Sequence, residues 1–127
     1  MSLVDANIVL RYVLDDHPEL SPKAAEILER QAVTLPIEAA CEVVYVLQKV
    51  YSVERQDIRQ QLSRLLDENL VNLDKPAVFL KALECYSTST FDFVDALLWA
   101  YHAVEGQAVF TFDRKLHQHL RRTDEQL

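Results

Sequence analysis

One glycine in 127 residues, at position 106, is the feature that most constrains this chain. Tight two-residue hairpins take glycine at positions of positive φ. A sequence so poor in glycine, with only four prolines, is not a series of hairpins. Helices are what remains, with a few short strands between them. Half of the residues are hydrophobic and 26% are charged, which is enough apolar material for one compact domain with a real core. No repeat, low-complexity tract or linker divides the chain, so a single domain over residues 1–127 is expected.

The pattern along the chain alternates between the two periods. "SLV" is a short strand ending at Asp5, and "NIVLRYVLDD" a helix with Ile8, Val9, Tyr12 and Val13 on one stripe. "SPKAAEILER" reads as a second helix with Ser21 as cap and Pro22 at its first position. "AVTLP" is a candidate strand, followed by the apolar helix "IEAACEVVYVLQKVY" and the amphipathic "SVERQDIRQQLSRLLDEN". "LVNL" is another strand and "DKPAVFLKALECYS" a fifth helix. "STSTFDFVDALLWAYHAVE" is a sixth helix, stopped by Gly106. "AVFTF" is a further strand and "DRKLHQHLRR" a last short helix begun by Asp113. Short apolar strands alternating with helices predict an α/β fold with a parallel sheet between helical layers. Sites in such folds form beyond the carboxyl ends of the strands.

Several classes are disfavoured at once. A net charge of −7 argues against a general nucleic-acid coat, but not against an enzyme that holds a phosphodiester through metal ions. A single glycine rules out glycine-rich phosphate loops. A phosphatase with an aspartyl nucleophile wants a second aspartate two residues after Asp5, where Asn7 stands. The start of the chain has no basic segment before an apolar one, and no run is long enough to span a bilayer, so a cytoplasmic location without membrane contact is expected. Cys41 and Cys85, far apart in apolar helical contexts, are expected as buried free thiols.

The acids are the informative residues. Asp92 and Asp95 lie three apart on one face of an apolar helix, a face that Trp99 and His102 continue. Glu42 is the lone acid within "AACEVVYVL", while Asp5 and Asp113 flank strand ends. A carboxylate inside apolar surroundings needs something to neutralise it. The acid-bearing stretches hold almost no lysine or arginine, which leaves a divalent cation with oxygen ligands. Simpler roles stand beside this one: Asp5 and Asp113 as helix caps, Asp92 as a complement to a helix dipole, Glu42 and Asp95 as rim residues or members of ion pairs. Trp99 reads as core or groove wall, His102 as a boundary histidine, and His117 and His119 as solvent-facing.

These motifs together resemble the PIN-domain nucleases, and among them the VapC-type toxins of toxin–antitoxin pairs. "VDANIVLRYVLDDHPE", "AACEVVYVLQKVYSVERQDI", "FDFVDALLWAYHA" and "AVFTFDRKL" match that family in order, from about residue 2 to residue 118. The resemblance implies a three-layer α/β/α sandwich with a short, mostly parallel sheet of four or five strands. It implies a Mg²⁺- or Mn²⁺-dependent endoribonuclease whose metal ligands and catalytic acids are Asp5, Glu42, Asp95 and Asp113, with Asp92, Asn7 and Thr111 auxiliary. Substrate contacts are expected from Arg11 and Arg114, and less from Lys115. The implied partners are an RNA substrate, a cognate antitoxin and a second copy of the chain. The alternative is a PIN-like module that binds RNA or protein without cutting. Ala6 replaces a common threonine, and Trp99 a usually small residue.

Overall fold

The computed structural model describes residues 1–126 and divides the chain into two compact units, Met1–Pro76 and Ala77–Leu127. The first unit runs β1 (Ser2–Leu3), α1 (Ala6–Leu14), α2 (Leu20–Arg30), β2 (Val33–Thr34), α3 (Ile37–Lys49) and α4 (Arg55–Asp67). The strands pair in parallel, with Ser2 opposite Val33 and Leu3 opposite Thr34, so α1 and α2 form the crossover between them. α1 packs on α2 and α3, and α3 on α4. Val9, Leu28, Val33, Val43, Leu47 and Ile58, all essentially inaccessible to solvent, fill the core. The second unit holds α5 (Pro76–Ser87), α6 (Phe93–Glu105) and α7 (Arg114–Glu125). Its core is aromatic: Phe79 and Tyr86 meet Phe93 edge-on at 5.5 and 5.7 Å.

The α/β character stands, but the expected four or five strands do not appear among the described residues. "LVNL" contributes one parallel bridge, Asn72 to Thr34. There the Asn72 N–H donates to the Val33 carbonyl at 2.9 Å, and its own carbonyl accepts from Leu35 at 2.8 Å. The preceding Leu70 and Val71 amides turn back to the Leu65 carbonyl, closing α4 rather than extending a ladder. "AVFTF" takes no regular structure at all. Strand propensity is expressed through pairing, and this segment leaves Phe110 and Phe112 fully exposed.

Helix ends also differ from expectation. Ser21 is not the cap of α2. It is buried, and its Oγ accepts from the His17 amide. The N-cap residue is Glu19, which makes no side-chain capping bond. The His17 ring stands in for it, its Nδ1 accepting from the Glu19 and Leu20 amides at 3.2 and 2.9 Å. Gly106 closes α6 at φ 71°, its amide bonded to the His102 carbonyl. Elsewhere the left-handed positions fall to Asp15, Ser52 and Asn69. Neither cysteine is in a disulfide, Cys85 being buried and Cys41 half-buried, with burial pushing the Cys41 thiol up.

Candidate metal centre

Two groups of carboxylates carry the expected acids, one in each unit. In the first, β1 ends at Leu3 and Asp5 becomes the N-cap of α1, its Oδ1 accepting the Ile8 amide at 3.1 Å. Asn7 follows, exposed on the first turn. Asp5 and Glu42 line one open cleft of about 670 Å³, with Leu3, Ala6, Pro36 and Ala39 forming much of its wall. Glu38 lines it too. The sequence reading missed this residue, although it lies one helical turn before Glu42 and so shares its face. Glu42 is exposed rather than enclosed by its apolar neighbours. The apolar positions of α3 turn Val43, Val44 and Leu47 inward and leave Glu42 at the rim.

In the second unit, Asp92 caps α6 by accepting the Asp95 amide at 2.8 Å. Asp95 sits in the first turn, half-buried. Burial raises its pKa above the ordinary carboxylate value, and the charges of Asp92 and Asp113 raise it further. Asp95 therefore feels both of the other aspartates of this unit. Asp113 is the N-cap residue of α7 but makes no side-chain capping bond. The Thr111 hydroxyl holds the chain there by accepting the Asp113 amide at 3.0 Å.

The donor chemistry suits a hard divalent cation, since every expected ligand is a carboxylate. Among the described residues, no group of three or more His, Cys, Asp or Glu is gathered tightly enough to hold one. Equally, none of Asp5, Glu42, Asp95 and Asp113 is ion-paired with a basic side chain among the described residues.

The expected substrate cations divide. Arg11 is engaged locally, paired with Asp16 at 2.9 Å and donating to the Tyr51 hydroxyl at 3.1 Å. Lys115 donates to the Thr90 hydroxyl and lies over the Phe91 ring at 4.7 Å. Arg114 is exposed.

Trp99 is core, 9% exposed, its indole N–H donating to the Thr123 hydroxyl at 2.8 Å. His119 is not solvent-facing as expected. It packs on Trp99 at 4.8 Å and Phe91 at 5.4 Å, and burial followed by the Arg122 charge lowers its pKa. His102 bridges the Gln107 carbonyl and the Asp124 carboxylate at 2.8 and 2.6 Å.

Comparison with known proteins agrees with these motifs. The sequence model of the PIN domain family matches residues 2–122. A VapC ribonuclease of Aquifex aeolicus (strain VF5) is 28% identical over 107 residues, covering 76% of this chain and 75% of that protein. No solved structure matches the chain. Among the described residues, no helix is long and apolar enough to cross a membrane.

Proposed function

Since the chain belongs to the PIN domain family, we propose that it is a Mg²⁺- or Mn²⁺-dependent endoribonuclease and the toxin of a toxin–antitoxin pair. Asp5, Glu42, Asp95 and Asp113 are its metal ligands, with Asp92, Asn7 and Thr111 auxiliary. The observation that carries the reading is that these four carboxylates have no basic partner among the described residues, while Asp95 already carries the cost of burial and of two like charges beside it. Asp5 contributes stability as a helix cap, but the charges beside Asp95 do not, and a bound cation relieves them.

When bound, a divalent ion supplies an activated water and stabilises charge on the phosphoryl oxygens. The chain's own residues do the rest. Asp92 fixes the start of α6, and with it the backbone of Asp95. Thr111 fixes the start of α7 and leaves the Asp113 carboxylate uncommitted to capping. Arg114, next in the chain, contacts substrate phosphate. The engaged Arg11 orders the Asp16–Tyr51 corner, and it meets RNA only by exchanging those bonds.

The named VapC relative is a ribonuclease, which supports RNA as the substrate. Exposed Tyr45, Val50 and Tyr51 at the end of α3 support a homodimer contact, and exposed Phe110 and Phe112 support an antitoxin contact. The test is cleavage of mixed RNA with Mg²⁺ or Mn²⁺, with and without chelator, beside Asp95→Asn. Cleavage lost in both controls is expected. Cleavage that survives either one removes the proposed mechanism, and an inert protein that still binds RNA makes this a binding module.

A further inference from the structure

The outer face of α7 has no role in packing. Leu116 and Leu120 are buried, and His119 and Thr123 lie on the same inner side. Opposite them, Arg114, His117, Gln118 and Arg121 fall at i, i+3, i+4 and i+7, and all four are exposed. No acidic residue occurs between Arg114 and Thr123 in a chain whose net charge is −7. The stripe carries two of the four cations of this segment, Arg114 and Arg121, with Lys115 and Arg122 beside it. Positive charge without an acid among it, in an acidic protein, fits a polyanion better than a neutral protein surface.

We infer that this stripe is a track for the phosphates of single-stranded RNA, guiding the strand to or from the reacting phosphodiester. The inference rests on the ribonuclease reading and names a substrate-binding surface within it. The stripe begins at the residue after Asp113, a proposed metal ligand, and runs away from it along the helix. Arg114 and Arg121 are two helical turns apart, about 10 Å of axial rise. Phosphates of a stacked strand recur every ~3.4 Å along the axis, so the stripe covers about three. Arginine suits the task because its planar fork matches phosphate oxygens. The Arg121–Glu125 pair, at 4.0 Å with both side chains about two-thirds exposed, is too weak to hold Arg121 back. Gln118 and His117 add donor capacity between the two cations.

Fluorescein-labelled oligouridine, bound by full-length protein carrying Asp95→Asn to prevent cleavage, is the probe. Each phosphate contact contributes about 0.7 to the salt slope for a single strand. Arg114→Ala with Arg121→Ala is therefore expected to flatten the slope by about 1.4 and weaken binding by roughly tenfold at low salt. The double lysine replacement keeps the slope and controls for misfolding. An unchanged slope in the alanine variant, while wild type cuts RNA, overturns the track and leaves the nuclease reading intact. So does a variant that binds RNA normally but no longer holds a protein partner, because the stripe is then a protein contact. Wild type that neither binds nor cuts RNA sinks both.

Discussion

Replacing Trp99 by phenylalanine tests how α7 is held against α6. The indole N–H donates to Thr123 Oγ1 at 2.8 Å, and that hydroxyl itself donates to the His119 carbonyl at 2.9 Å. Loss of the indole leaves the Thr123 O–H satisfied and only a lone pair unmet, so this part costs about 0.5–1 kcal/mol. The smaller ring also opens a gap against His119, whose ring lies 4.8 Å away, adding about 1–2 kcal/mol. The sum is about 2 kcal/mol, a fall in Tm of roughly 8 °C for a domain of this size. Thr123→Val instead orphans the buried indole N–H at about 1–3 kcal/mol. In the double variant that group is gone, so the combined loss should fall short of the sum by about 1 kcal/mol. Thermal melts by circular dichroism on the four proteins give the coupling directly. Losses that add to within about 0.3 kcal/mol would refute the hydrogen bond as the link between the helices.

Gly106→Ala meets no atom within 4 Å, so its expected cost of about 1 kcal/mol comes from the left-handed φ of 71° alone, read by denaturant titration. His102 has its pKa raised above 6.5 by the Gln107 carbonyl, then by Asp124. Its contribution is therefore full below about pH 6.5 and lost as pH rises through the raised value. Because Asp124 is mostly exposed, His102→Gln should destabilise by less than about 1 kcal/mol at pH 6 and by still less at pH 9. Asp95 has a raised carboxyl pKa, so its ionised form opposes folding. Asp95→Asn should raise the Tm of metal-free protein at pH 8, with the gain shrinking as pH falls through the raised value, where the wild-type carboxyl takes up its proton. A variant with a lower Tm at pH 8 would contradict this.

The helices were legible because their apolar periods are strong, and Gly106 marks its boundary as glycine should. Other boundaries were opaque because the chain uses Asp15, Ser52 and Asn69 in left-handed positions, and a His17 ring nitrogen in place of a capping side chain. The short strands misled for a physical reason. "AVFTF" has the right residues, but a strand exists only with a partner, which local sequence does not encode. The acids of the candidate site stood out in sequence as carboxylates among apolar residues, though Glu42 proved to be a rim residue. Its neighbour Glu38 was overlooked because a first-turn acid reads as ordinary dipole chemistry. His119 was misread because a helix rich in basic residues suggested solvent on all sides, whereas Leu116 and Leu120 turn it toward Trp99.

Mn²⁺ binding, followed by the loss of the free-ion electron paramagnetic resonance signal, tests the central claim most directly. The account predicts saturable binding by the wild-type chain that weakens by about tenfold or more in Glu42→Gln and, separately, in Asp95→Asn. Binding unaffected by either replacement would contradict it.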